Sequence, residues 1–409
     1  MTAPDSRRSK HVAVLSMPQI SHIEPILPSL RALQAGGVRV TIASEPELLR
    51  HPALQGFELA PFETGIDPKR WGEAPYAESL QRLSGSVGAI IGRVRDLIPR
   101  LQIDALVVDL MLWGAACAAE LSGLPWAGLA HTPVLYPTRG RVRVGREPLT
   151  LGGLAEGGAA FLSQYYRVHA RALIQLNVAR VRSGLRPVYG AHQLGYPANA
   201  VLIYTSRDFE YRAGWHPNAR YVGAMASPEE RPRPPCITEG RRVILVTGST
   251  ASLPGQEKIL SATFEAFAEG DRYQVVATAP SGGVTSVPRN AYVQPFIPHD
   301  QVLPFTHCVV CHGGAGLVHR AMLYEVPLVT IPIARDQPEI AARVRRSGVG
   351  AVVALDRVNP ESIRDAVQLA TTACRPALAR HAKHLRSMNG LEIATRELQN
   401  LVTPGRGGS

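Results

Sequence analysis

The residues of this chain best suited to chemistry form one short run, His312-Gly313-Gly314-Ala315-Gly316, followed by Asp336-Gln337. The apolar residues Cys308 to Cys311 before it read as the end of a buried strand, and Leu317 to Tyr324 after it read as a helix. Glycines at a strand-to-helix turn let the backbone come close to a ligand. The free N–H groups of the first helical turn, with the helix dipole behind them, favour an anion. A histidine at the strand end can donate to a phosphate oxygen. A tight turn that holds nothing has the same glycine pattern, so the surrounding elements must decide.

Those elements belong to an ordinary globular chain of 409 residues, 45% hydrophobic and 19% charged. That length suffices for two or three domains with real cores. No apolar run reaches the roughly 18–20 residues a membrane span requires. Met1 to Lys10 is polar, lacks the apolar core of a signal peptide and reads as a short disordered lead. The net charge of +11 comes from 44 basic and 33 acidic residues, mostly scattered arginines. The densest set, Arg139, Arg141, Arg143 and Arg146, has no interleaved aromatics, which argues against nucleic acid. The excess reads either as a solvated arginine-rich surface or as a field that draws in a nucleotide diphosphate. Cys117, Cys236, Cys308, Cys311 and Cys374 are odd in number, as expected of reduced thiols in a cytoplasmic protein. Cys308-Val-Val-Cys311-His312 has the spacing of a covalent haem attachment site, but that chemistry needs export and an exposed turn, and here the pattern lies in an apolar strand. As half of a zinc site the pair lacks a second cluster.

Strand and helix patterns alternate throughout, which predicts an α/β protein with parallel sheets. Strands are expected at His11–Ser16, Arg39–Ala43, Ala105–Val108, Trp126–Leu129 and Ala200–Thr205. Helices are expected from about His22 to Ala35, around Tyr76–Arg100, at Trp113–Leu121 and at Phe161–Arg182. The proline-rich stretch 224–240 reads as a linker. A second series follows, with strands at Val243–Thr247, Gln274–Ala277, Ala291–Val293, Cys308–Cys311, Leu328–Ile331 and Ala351–Val353. Arg375 to Val402 reads as two helices. The domain assignment is therefore a lead over 1–10, a Rossmann-like domain over 11–223, the linker over 224–240, a second Rossmann-like domain over 241–385, and a final helix and tail over 386–409. Ligands of such sheets sit at the carboxyl ends of the strands, where every motif named here falls.

The ordered set Phe296-Ile297-Pro298-His299, His312-Gly-Gly-Ala-Gly316, Val326-Pro327, Ile331-Pro332 and Asp336-Gln337 resembles the donor-binding segment of the inverting Leloir glycosyltransferases of GT-B fold. These include the macrolide, glycopeptide and enediyne glycosyltransferases of bacteria and the plant UGTs. The resemblance extends into the N-terminal half and implies two Rossmann-like domains facing a central cleft, with the last helix crossing back to the N-terminal domain. It makes His22, in His22-Ile-Glu-Pro25, the general base, and Asp109 the carboxylate that fixes its tautomer. The chemistry is sound: a neutral imidazole accepts a hydroxyl proton near neutral pH. Pro25 in a first helical turn puts His22 at the helix start, where the dipole disfavours imidazolium. A helix-capping role remains the plain reading of both residues, and Glu24 is a weaker candidate base. On the donor side the resemblance implies that Ser249 and Thr250, in the Gly248-Ser249-Thr250 turn, touch the diphosphate. Phe296 would stack on the base, and the Ile297 backbone would pair with its edge. His312, Gly313, Gly314, Ala315, Gly316 and Leu317 would cradle the diphosphate, and Asp336 and Gln337 would read sugar hydroxyls. Leu317 stands where many relatives have a serine or threonine. Arg320 stands where users of UDP-glucose carry a glutamate for the ribose; with His319 it looks closer to enzymes using dTDP-deoxysugars.

The expected activity is therefore metal-independent, inverting transfer of a sugar from dTDP or UDP to a hydroxyl of a small lipophilic natural product, with a deoxysugar among the candidates. The co-substrate is a nucleotide sugar, no cofactor is expected, and no Asp-x-Asp metal motif occurs. The acceptor pocket is expected from the less regular regions 65–83 and 131–189, which hold Trp71, Tyr76, Tyr136, Tyr165 and Tyr166. The partners are a donor and an aglycone, without nucleic acid or membrane span, for a monomer or homodimer. The alternatives are a non-catalytic glycosyltransferase-like helper, which an intact His22 and Asp109 argue against, and a nucleotide-sugar epimerase of the same fold, which would depend on cleft carboxylates instead.

Overall fold

The structure, a computed structural model, describes residues 8–67, 76–131, 141–144, 147–150, 169–211, 218–224, 232–248, 253–279 and 286–403. Ser249, Thr250, Trp71, Tyr136, Tyr165 and Tyr166 lie outside these residues. Tyr76 opens a helix, but its side chain is outside the description.

Two separate parallel sheets carry the described chain. The first is built from β1 (His11–Leu15), β2 (Arg39–Ser44), β3 (Glu58–Pro61), β4 (Ala105–Asp109), β5 (Trp126–Ala130), β8 (Ala200–Ile203) and β9 (Ala219–Tyr221), in the order β3-β2-β1-β4-β5-β8-β9. Between β5 and β8 the chain forms an antiparallel pair, β6 (Arg141–Val144) with β7 (Glu147–Thr150). The second sheet holds β10 (Arg242–Thr247), β11 (Tyr273–Thr278), β12 (Ala291–Gln294), β13 (Thr306–Cys311), β14 (Leu328–Thr330) and β15 (Gly350–Val352), in the order β12-β11-β10-β13-β14-β15. Each order reverses once, between β1 and β4 and between β10 and β13, which is where a crevice opens at the carboxyl ends of parallel strands. Central strands such as β1, with every residue buried, are covered by helices on both faces, as their unbroken apolar runs require.

The expected helix after β1 is broken into α1 (Ile20–Ile23), a 3₁₀ turn (Glu24–Ile26) and α2 (Leu27–Ala35). Pro25 and Pro28 remove the backbone donors that a continuous helix would use there. The region around Tyr76–Arg100 divides at Ser86 into α3 (Tyr76–Gly85) and α4 (Val87–Leu101). Then follow α5 (Trp113–Ser122) and α6 (169–182). The second half carries α7 (Gln256–Phe267), α8 (Ala315–Leu323), α9 (Gln337–Ser347), α10 (Pro360–Ala373), α11 (Arg375–Ser387) and α12 (Gly390–Val402). Strands β3 and β9 are short edge or near-edge pieces that the sequence pattern did not single out.

The halves are joined by more than the linker. The segment after β8 inserts Phe209 into the core of the second half. Glu210 accepts from Arg343 at 2.7 Å, and Arg343 also pairs with Glu339 at 2.7 Å; all three side chains are buried. Arg346 donates to the carbonyls of Phe209 and Glu210. In return α12 packs against α2, burying Ala394, Leu398, Leu401 and Val402 with the core of the first half. The crossing needs a glycine: a Cβ on Gly390 would lie 1.8 Å from the carbonyl oxygen of Val222.

Candidate active site in the cleft between the two sheets

The reversal between β1 and β4 brings the two proposed catalytic side chains together. His22 sits in α1, on the loop leaving β1, and Asp109 is the last residue of β4. His22 Nδ1 donates to Asp109 Oδ2 at 2.7 Å. The carboxylate is wholly buried and also accepts from the N–H of Met17 at 3.2 Å and of Met111 at 2.9 Å. Burial works to raise the Asp109 carboxyl, but the His22 charge and hydrogen bond, with the Met111 N–H, outweigh it and hold the group below its ordinary range. An ionised Asp109 can only accept, so Nδ1 of His22 carries the proton. His22 Nε2 is then the acceptor nitrogen, on a ring that keeps 19% exposure. Asp109 caps no helix: α5 begins after Leu112 without a side-chain cap.

Neighbouring groups enclose the dyad. The imidazole of His131, one residue after β5, lies 4.7 Å from that of His22 and is stacked on Tyr204 at 5.2 Å. Its Nε2 is 3.9 Å from Asp109 Oδ2. Burial presses its pKa down to about 3, so the ring is neutral. Sequence reasoning placed His131 only at the margin of an acceptor region. Its position became visible only when β5 was laid beside β4.

The reversal between β10 and β13 carries the second set. Gly248 follows β10 and His312 follows β13. Gly313 takes φ +88°, a left-handed conformation that glycine adopts without penalty. Gly314 is the N-cap of α8, and a Cβ there would stand 2.9 Å from His312 Nε2. A Cβ on Gly316 would meet nothing, so the outer side of the first turn is open. Burial lowers the His312 imidazole to about 4, against a backbone hydrogen bond at Thr247. His312 Nδ1 and Thr247 Oγ1 are buried and lack a hydrogen-bond partner among the described residues. These two polar atoms stand at the ends of the adjacent strands β13 and β10. Thr247 was not among the residues the sequence suggested.

The remaining donor candidates divide by exposure. Phe296 is 61% exposed, with its ring edge-on to His51 of the first half at 6.1 Å. It is a free face, not a core side chain. Ile297 is buried, leaving its backbone for recognition. The side chains of Ala315 and Leu317 are buried in the core of the second half, so these residues can offer a ligand only their N–H groups. Asp336 occupies the N-cap of α9 but makes no side-chain cap bond. Burial raises its carboxyl, while its own backbone N–H and the charge of Arg335 pull it partly back. Arg335, just before it, is held at φ +62°, a strain typical of functional turns. Gln337 is buried, and its Oε1 accepts from the N–H of Ile333 and of Ala334. That commits its oxygen to the loop. Arg320 reaches back to Glu24 at 3.3 Å, tying α8 to the turn that holds His22. Its neighbour His319 is buried, with Nε2 2.8 Å from Thr205 Oγ1. Cys308 and Cys311 are buried within β13, their thiols pushed far up by burial, which excludes an exposed haem attachment.

Comparison with known proteins bears on the fold and on the class of relatives. Residues 262–397 match the C-terminal domain of the erythromycin biosynthesis protein CIII-like family. Over 96% of its length the chain is 28% identical to 4'-demethylrebeccamycin synthase of Lentzea aerocolonigenes, of which 98% is covered. The glycotransferase of kitacinnamycin superposes with a TM-score of 0.75 at 21% identity, covering 97% of this chain and 100% of that one. The spinosyn rhamnosyltransferase SpnG complexed with thymidine diphosphate superposes with a TM-score of 0.70 at 18% identity, covering 96% and 100%. The chain thus has the two-sheet GT-B fold, matches an EryCIII-like C-terminal domain over residues 262–397, and is similar along nearly its whole length to natural-product glycosyltransferases.

Proposed function

We propose that the chain transfers a sugar from a dTDP- or UDP-sugar to a hydroxyl of a small lipophilic natural product, with inversion and without a metal cofactor. His22 Nε2 takes the acceptor proton while the oxygen attacks the anomeric carbon on the face opposite the nucleotide. Asp109 holds the Nδ1 proton in place and stabilises the imidazolium as it forms. The departing diphosphate is met by the N–H groups opening α8, by His312 and by the hydroxyls of Ser249 and Thr250. Asp336 accepts from sugar hydroxyls, and Gln337 donates through its amide nitrogen. The observation that carries this reading is the 2.7 Å bond between His22 and a buried, ionised Asp109, set across the cleft from the Gly313–Gly316 turn.

A deoxysugar donor on dTDP is supported by Arg320, which is engaged with Glu24 and offers the ribose no acceptor, and by the thymidine diphosphate seen in a structural neighbour. Calorimetry with TDP and UDP tests it. TDP should bind at least as well as UDP; UDP binding more than tenfold tighter, about 1.4 kcal/mol, refutes the deoxysugar reading. No described helix is long and apolar enough to cross a membrane. The free cysteines fit a cytoplasmic enzyme, proposed to act as a monomer or homodimer. Donor turnover with an aliphatic alcohol acceptor separates the enzyme from a non-catalytic helper.

A further inference from the structure

Nothing in the proposed transfer uses His131, yet both of its ring nitrogens are buried and lack a hydrogen-bond partner among the described residues. A folded chain rarely buries such atoms without something to meet them. The nearest polar group is Asp109 Oδ2, at 3.9 Å from His131 Nε2. The same oxygen receives His22 Nδ1 at 2.7 Å. One ligating atom from each of His22, Asp109 and His131 therefore lies within 4.8 Å of the others. Two imidazoles and a carboxylate suit zinc and its neighbours, whereas magnesium prefers an all-oxygen shell. Metal–ligand bonds of about 2.0–2.1 Å in a tetrahedron space the ligands about 3.3 Å apart, between the two separations observed. The wall is already desolvated at Asp109, and the ring of His22 keeps the partial exposure through which an ion would enter.

We propose that His22, Asp109 and His131 form an inhibitory site for a divalent transition metal, zinc first, which switches the base off by fixing its tautomer. In the active dyad the Nδ1 proton of His22 faces Asp109 and the Nε2 lone pair faces the acceptor. A metal on Nδ1 takes that lone pair and moves the ring's one proton to Nε2. No net proton is lost, but Nε2 can no longer accept the acceptor's proton. The shut-off rests on His22 being the base; the metal site itself does not.

The test uses untagged protein with cobalt(II) and zinc chlorides. Cobalt should bind at one equivalent with the visible bands of a four-coordinate ion and without sulfur charge-transfer absorption. Zinc should displace it and inhibit transfer, EDTA should restore the rate, and magnesium should do neither. His131→Phe keeps a ring against Tyr204 and should weaken both cobalt binding and zinc inhibition at least tenfold. Should that variant fold poorly, the anomalous signal of zinc-soaked wild-type crystals answers instead, with its peak expected between the three side chains. Absence of stoichiometric binding, sulfur bands, unchanged affinity in His131→Phe, or a peak elsewhere overturns the proposal. Zinc bound at this site without inhibition refutes the shut-off; the assignment of His22 as base fails as well only if His22→Ala also keeps its transfer rate.

Discussion

Replacing Asp109 by asparagine isolates one charge in a site where nothing else need move. Asp109 Oδ2 accepts from His22 and Met17, and Oδ1 accepts from Met111. An amide has one accepting oxygen and one NH₂. With the oxygen toward Met111, the NH₂ faces two donors, and His22 is relieved only by moving its proton to Nε2, which ends its use as a base. With the oxygen toward His22, the tautomer survives but the Met111 N–H is stranded at about 1–3 kcal/mol. In that arrangement the imidazolium formed during transfer also loses its counter-charge. Two unit charges at ~4 Å and an effective dielectric near 20 interact by about 4 kcal/mol, or roughly a thousandfold in rate. Asp109→Asn should therefore lower kcat by about 10³ on an aliphatic alcohol acceptor, within the 10²–10⁴ range of general-base catalysis. Calorimetry should find nucleotide affinity nearly unchanged, because the Gly313–Gly316 turn lies on the other sheet. His22→Ala should fall by a similar factor, and the double variant should be little worse than either. An acidic phenol, already partly ionised, should show a smaller loss. Retention of more than about a third of the activity on an aliphatic alcohol by either single variant would show that the dyad does not carry the reaction.

Other consequences follow from the same geometry. Phe296→Ala should leave thermal stability unchanged, since the ring is exposed, and should weaken nucleotide binding by about 1–3 kcal/mol if it stacks on the base; unaltered calorimetric affinity removes Phe296 from the donor site. Transfer should survive excess EDTA, and a loss restored by magnesium or manganese would mean the diphosphate site has been misread. Burial holds the His319 pKa near 4 against 6.5 for the free group, so the unfolded chain binds the extra proton first. Its contribution is then complete above pH 6.5 and is lost as pH falls toward 4, at about 1.4 kcal/mol per pH unit. His319→Asn should flatten that part of the stability–pH curve, and an unchanged slope in urea titrations would refute the assignment.

Much of this was legible in the sequence because it is local. Apolar runs ending in glycine or histidine announced the strands and the turns at their carboxyl ends, and His22 and Asp109 stand where such ends must lie. The breaks in the helix after β1 were legible too, in Pro25 and Pro28, but an expected periodicity concealed them. What the sequence withheld is contact between distant segments. His131 matters through β5 lying beside β4, and Glu210 through Arg343, whose partner lies in the other half of the chain. Leu317 looks like a ligand residue by position, yet its helical face points it into the core. Thr247 is one more β-branched residue in a strand until β13 places His312 beside it.

The return of α12 to α2 gives the molecule an unusual order of completion. The first sheet is synthesised early, but part of the cover over α2 and its neighbours is supplied by the final helix. Until that helix emerges, the nascent N-terminal half presents the apolar groove that Ala394, Leu398, Leu401 and Val402 will fill. Burial of Leu398, Leu401 and Val402 alone contributes about 1.5–3 kcal/mol each. A chain cut before Gly390 would therefore lose cover from its first half, far in sequence from the cut.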